Sequence, residues 1–190
     1  ENPNSAKYRL IPIILMMGLV PLIVHMYQYN TNLSQFDWFP DNSETASDFF
    51  FAWKMYAIIL VGGFIGLTLL YRHFIAEDKF RFEKPFTFLL TYLVLVLVSA
   101  VFSKYKYWVV HGTYELLEPI WVIIAYLLLC YYTYNYVRKE KQVDYILCWS
   151  GIGMAVVTLI GVFQYYGLDF FKTSFGKHLI SNQSYWNNLD

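Results

Sequence analysis

Long stretches of this chain carry no charged residue, and they alternate with short segments in which charges gather. Five apolar runs stand out, at 10–29, 50–71, 85–103, 119–137 and 145–167. A helix that crosses roughly 30 Å of hydrocarbon needs about 20 apolar residues, because each adds about 1.5 Å of rise. The second run reaches that length through 50–53, with Lys54 placed where its stem can snorkel toward headgroups. One such run alone reads equally well as a buried helix of a large soluble protein. Five in succession leave too little polar chain to cover them. A membrane β-barrel needs alternating apolar and polar positions, whereas Leu93-Val94-Leu95-Val96-Leu97-Val98 is apolar throughout. The pattern predicts an all-α, polytopic membrane protein with about five transmembrane helices in a single domain over 1–190. The chain begins at Glu1 rather than Met, and it is expected to be a piece that is incomplete at its C-terminus.

Composition agrees. Apolar residues make up 57% of the chain, aromatic residues 21% and charged residues 15%, where a soluble domain carries about 25% charged residues. The formal net charge is zero, so no basic field points to nucleic acid as a partner. The basic residues are unevenly placed. Lys7 and Arg9 precede the first run, Arg72, Lys79, Arg81 and Lys84 follow the second, and Arg138, Lys139 and Lys141 follow the fourth. If the runs alternate in direction, these nine share one side, against Lys54, Lys104, Lys106, Lys172 and Lys177 on the other. The positive-inside bias then predicts a cytoplasmic N-terminus.

Smaller signals add detail. The first run is interrupted by Pro12 and Pro21 and lacks a small-x-small cleavage site, so it reads as a retained span and not a signal peptide. Pro85 and Pro119 fall where helices three and four begin, where a missing N–H costs little. Gly62 and Gly66 form a Gly-x-x-x-Gly pair, and Gly151, Gly153 and Gly161 recur in the fifth run. Small residues let membrane helices approach closely. Cys130 and Cys148 lie in predicted spans, and His25, His73, His111 and His178 are too dispersed for a metal site, so no metal and no cofactor is expected. Asn32-Leu33-Ser34 and Asn182-Gln183-Ser184 match the short glycosylation pattern. Tyrosines cluster at run ends, among them Tyr27, Tyr29, Tyr134, Tyr165 and Tyr166, as in an interfacial aromatic belt.

The stretch 104–118 holds the richest chemistry. Lys104 and Lys106 offer point charges for a lipid-linked phosphate, His111 a neutral base, Tyr114 a ring for sugar stacking, and Glu118 a carboxylate for general base work. Glu118 also lies where a carboxylate favours a helix N-terminus, a structural role. The same composition fits a belt-forming loop, and residue chemistry leaves these readings open. In the fifth run Gln164 is a polar group that needs a partner. No ionisable residue lies near the middle of a run, which argues against a proton-coupled pump.

Around these residues the chain resembles the N-terminal portion of the bacterial O-antigen ligase and polymerase family of membrane glycosyltransferases. That family often carries a loop reading Gly-x-Tyr-x-Arg-Tyr/Phe-Glu-Gly followed by an apolar run with a tyrosine. Gly112, Tyr114, Glu118 and Tyr126 match, while Leu116 stands for the arginine and Pro119 for the glycine. The stretch 160–180, with Gly161, Gln164, Gly167, Asp169, Gly176 and Lys177, is the closer match. The resemblance covers 103–180. It implies a fold with about twice this number of spans and transfer of a polyprenyl-diphosphate-linked glycan to a glycan acceptor at the outer face of the bacterial cytoplasmic membrane. It also implies that the family's arginines and histidine lie in later outer loops, so no catalytic residue is assigned here. A flippase or exporter of lipid-linked sugars and a non-catalytic membrane assembly subunit are the competing expectations.

Overall fold

The computed structural model of the chain describes residues 8–30, 45–48, 50–77, 81–112, 117–168 and 170–180. They are mostly helical. The first helix, α1, covers Ile11–Leu22. It passes from α-helix (Ile11–Ile14) through a π-helical stretch (Leu15–Leu19) to a 3-10 turn (Val20–Leu22). Strands β1 (Tyr27–Asn30) and β2 (Thr45–Asp48) pair antiparallel, with Tyr27 opposite Asp48. Then follow α2 (Ala52–Phe74), α3 (Lys84–Phe102), the short α4 (Lys106–His111), α5 (Ile120–Tyr136) and α6 (Glu140–Tyr165). A 3-10 turn (Phe170–Lys172) and α7 (Ser174–Ile180) complete the described chain. Helices α2, α3 and α6 are long and apolar enough to cross a membrane, whereas α1 and α5 are shorter apolar helices.

The first apolar run is therefore not one continuous helix. Proline has no N–H to donate and crowds the turn before it. Ahead of Pro21 the helix widens and then tightens, and it stops at Leu22. Ile23 is already extended (φ −71°, ψ 116°), and its N–H reaches back to the Val20 carbonyl at 3.1 Å. The apolar residues that follow lead directly into β1. Pro85 and Pro119 behave as their positions suggest, inside the first turn of α3 and at the N-cap of α5. The sixth helix starts earlier than the apolar run, at Glu140, because the Gln142 carboxamide oxygen accepts the Arg138 and Lys139 N–H groups at 2.9 and 3.0 Å. These are donors that a helix N-terminus otherwise leaves bare.

The helices form a row in the order α3, α5, α2, α1, α6. The chain reverses direction at each connection, so the segments rich in Lys and Arg meet at one end. There the Arg9 and Arg72 guanidinium carbons lie 5.8 and 5.1 Å from the centre of the Tyr136 ring. The Tyr132 hydroxyl donates to the Arg9 carbonyl at 3.0 Å, and the Arg81 N–H donates to Oδ1 of buried Asn135 at 2.9 Å. Leu10, Ile13, Val61, Ile65, Leu69, Tyr132 and Ile146 form the core above this basic end. A smaller core of Ala52, Met55, Leu117 and Val122 lies at the opposite, aromatic end.

Two small-residue crossings hold the row. A Cβ on Gly62 would sit 2.9 Å from the Ala125 Cα, and one on Gly153 would sit 2.5 Å from the Gly18 carbonyl oxygen. The Gly-x-x-x-Gly pair in α2 is a packing face toward α5, since Gly66 meets Leu128 on the same side. Gly63, Gly151 and Gly161 face open space. Hydroxyls on the exposed faces return to their own helices. Thr68, Thr91 and Thr158 each donate to the carbonyl four residues back, at 2.8 Å, which leaves those donors satisfied without water.

The crossings make a directional prediction. Leu has the better helix propensity at every glycine, yet overpacking costs about 1–3 kcal/mol or more. Gly62→Leu and Gly153→Leu are each expected to lower the melting temperature of the detergent-solubilised protein. Gly63→Leu and Gly151→Leu should melt at or above the wild-type temperature. Equal damage from Gly62→Leu and Gly63→Leu would place the α2–α5 contact elsewhere.

Candidate functional site

The aromatic end is assembled by three local devices. Asp48 closes β2, and its Oδ2 accepts the N–H groups of Phe51 and Ala52 at 2.8 and 2.7 Å. This caps the start of α2 and ties the β-ribbon to it. Tyr27, opposite Asp48 in the ribbon, is thereby set edge-on to Tyr56 of α2 (6.1 Å between ring centres). The second device is Gly112. Its N–H bonds the Trp108 carbonyl at 2.8 Å and ends α4, and its backbone is left-handed (φ 83°). A Cβ there would lie 2.9 Å from the Leu117 Cα, so only glycine lets these two backbone segments touch. The third is α4 itself. His111 stacks on Tyr107 (4.3 Å, 19°), and its Nδ1 lies 3.0 Å from the Tyr107 carbonyl oxygen.

Between these pieces lies a cavity of ≈ 250 Å³, lined by Tyr27, Tyr56, Tyr107, Trp108, His111 and Trp121 among others. A second crevice of ≈ 430 Å³ runs between α3 and α5, and Tyr92, Leu95, Ser99, Ser103, Trp108 and Glu118 line part of it. Trp108 lines both. An aromatic cavity suits the C–H faces of sugars, and an apolar crevice with a few hydroxyls suits a hydrocarbon chain with a polar end.

The structure brings some of the expected site residues together and leaves others apart. His111 lines the aromatic cavity and Glu118 lines the crevice, so the two border different spaces. Glu118 is exposed, and no side-chain cap bond is made at the start of α5. Lys104, on the segment that joins α3 to α4, and Lys106, the first residue of α4, are exposed and line neither space. Gln164 sits in the last turn of α6, at the far edge of the row from α3, and also lines neither. Tyr114, Asp169 and both glycosylation patterns, at Asn32 and Asn182, lie outside the described residues. Tyr27, Tyr56 and Trp121 come from three separate segments, and nothing local in sequence marks them as partners. Among the described residues, no three His, Cys, Asp or Glu side chains converge as metal ligands would. No protein-family model, curated protein or solved structure matches the chain.

The Asp48 cap is expected to control the aromatic end. Asp48→Ala removes the acceptor for two N–H groups and should destabilise the start of α2 by about 0.5–2 kcal/mol. Hydrogen exchange of the peptide that includes Phe51 and Ala52 should speed up severalfold, while Asp48→Asn, an equally good cap, should stay near wild type. Unchanged exchange in Asp48→Ala would show that the ribbon is held by other contacts.

Proposed function

We propose that this chain is part of a membrane glycosyltransferase of the O-antigen ligase and polymerase type, acting on a polyprenyl-diphosphate-linked glycan at the outer face of the bacterial cytoplasmic membrane. The observation that carries the reading is the pair of spaces joined at Trp108. An apolar crevice open to the side of the row abuts an aromatic cavity at its end, as a carrier with a hydrocarbon tail and a sugar head requires. In this reading the isoprenoid enters between α3 and α5, and the sugar stacks among Tyr56, Tyr107 and Trp121. Lys104 and Lys106 serve the diphosphate as point charges at the membrane surface. The glycan acceptor approaches from the outer side.

Five crossings with a cytoplasmic N-terminus complete the proposal. Helix α1 rises about 18 Å, and the extended residues after it add about 13 Å, together close to the hydrocarbon thickness. Non-helical backbone at that depth needs protein cover, and residues 23–27 are half-buried. The seven described basic residues of the basic end, Arg9, Arg72, Arg81, Lys84, Arg138, Lys139 and Lys141, then face the cytoplasm.

Two measurements test this. In a background lacking Cys130 and Cys148, Lys104→Cys in intact cells should react with a membrane-impermeant thiol reagent, and Lys141→Cys should react only after lysis. The reverse labelling overturns the orientation. Gly112 is a poor reporter site because any side chain there is strained.

Transfer needs a stabilised leaving group and a base for the acceptor hydroxyl at one place, and His111 and Glu118 border different spaces. The 190 residues in nanodiscs are therefore expected to bind a polyprenyl-diphosphate oligosaccharide without turning it over. Tyr107→Ala should weaken that binding roughly tenfold, on the scale of a single buried aromatic anchor, while binding of sugar-free polyprenyl phosphate changes little. Equal loss for both ligands, or none for either, would remove the sugar assignment. Turnover by these residues alone would make the 104–118 stretch a complete site.

A further inference from the structure

A second crevice on the α3–α5 seam lies at the opposite, basic end, with a volume of ≈ 290 Å³. Phe86, Leu89, Leu93, Ile124, Leu128 and Tyr131 supply much of its lining, which is almost wholly apolar. Phe86 is its one buried residue from α3, set edge-on to Tyr131 (5.3 Å) and tilted against Tyr134 (4.8 Å). From Lys84, the first residue of α3, to Leu93 the helix rises about 14 Å, close to the roughly 15 Å of hydrocarbon in one leaflet. A space of this kind, open to lipid, is filled by a lipid chain. Its rim decides which headgroup comes with that chain.

The rim is basic and organised by Asn135. The Asn135 side-chain oxygen accepts the Arg81 backbone N–H at 2.9 Å, and its main-chain carbonyl accepts Arg138 Nε at 3.0 Å. The Asn135 Nδ2 donates to the Tyr131 carbonyl at 2.9 Å. Asn135 thus ties down both arginine-bearing segments, Arg81 at its backbone through the side-chain oxygen and Arg138 at its guanidinium Nε through the main-chain carbonyl. The Arg81 bond uses main chain alone, so its guanidinium is not consumed by it. Lys84 is exposed at the first residue of α3 and is joined through the extended Glu83 (φ −109°, ψ 163°) to Phe82, which lines the crevice. Glu83 is also at this rim, hydrogen-bonded to Tyr134, and three cations outnumber it. Arginine's planar fork matches a phosphate's oxygens better than an ammonium does.

We propose that this crevice is a binding site for an anionic phospholipid of the leaflet at the basic end. One acyl chain lies between α3 and α5, and the phosphate rests against Arg81, Lys84 and Arg138. The site is separate from the aromatic end and does not depend on the glycan reading.

The test uses the full chain, purified in mild detergent and examined by native mass spectrometry with added phosphatidylglycerol or phosphatidylcholine of equal chain length. The wild type is expected to retain phosphatidylglycerol in clear preference. Arg81→Gln with Lys84→Gln and Arg138→Gln should lower that preference at least about tenfold, since each basic group near a membrane surface contributes about 1 kcal/mol toward anionic lipid. The Arg81 N–H bond to Asn135 survives these changes and the Arg138 Nε bond to the Asn135 carbonyl is lost, so folding is expected to persist, as gel filtration will show. Leu90→Trp, at the crevice wall, should reduce retention of both lipids. Equal retention of the two lipids by the wild type overturns the proposal, as does undiminished preference in the triple variant. Inorganic phosphate that displaces phosphatidylglycerol at millimolar concentration would assign the rim to free phosphate and overturn it as well.

Discussion

In lipid there is no hydrophobic gain in bringing one apolar helix against another, so helices associate where their surfaces allow many close contacts. This chain meets that constraint by removing side chains at two places. Gly62 brings α2 onto Ala125 of α5, and Gly153 brings α6 onto Gly18 of α1. Between those crossings, Ile13, Ile65 and Tyr132 fill the row. The polar work is confined to the ends, where Asn135 binds two loops at one side and Asp48 caps α2 at the other.

Helix α3 shows what happens without this device. It has no glycine, and its face toward α5 is built from Phe86, Leu89, Leu93 and Val96. These side chains hold the two helices apart along most of their length, and only Phe86 among them is buried. The crevices above and below are the direct result. The candidate functional spaces thus come from the seam that packs least well, while the rigid crossings lie elsewhere in the row and supply the frame. Trp108 of α4 then borders both the upper crevice and the aromatic cavity.

Much of this frame was legible in the sequence. Runs of uncharged residues marked the helices, the basic clusters marked which segments share an end, and the glycine spacing in α2 marked a packing face. What failed to show was set by single residues acting against their surroundings. Pro21 stops α1 inside an apolar run, and Tyr27-Gln28-Tyr29-Asn30 is too short to announce a strand there. The site was harder still. His111 and Glu118 are close in sequence, yet with the turn at Gly112 between them they border different spaces. Beyond Tyr107, the rings that share the cavity with His111 come from β1, α2 and α5 as well as α4, and convergence of distant segments leaves no local period to read.

The π-helical stretch of α1 fits a helix that must serve two neighbours. Met16 and Val20 face the core, while Gly18, two positions from each, faces α6. Residues two apart on a helix point to nearly opposite sides, so α1 packs on two partners at this level, while Leu15, Met17 and Leu19 stay exposed between them. A π turn accommodates one residue more than an α turn in the same rise. Loss or gain of a single residue within Leu15–Leu19 is therefore no mere change of length. It rotates everything from there to the β-ribbon, moving Gly18 off Gly153 or Val20 off the core, and the register of this one turn sets how both halves of the bundle meet.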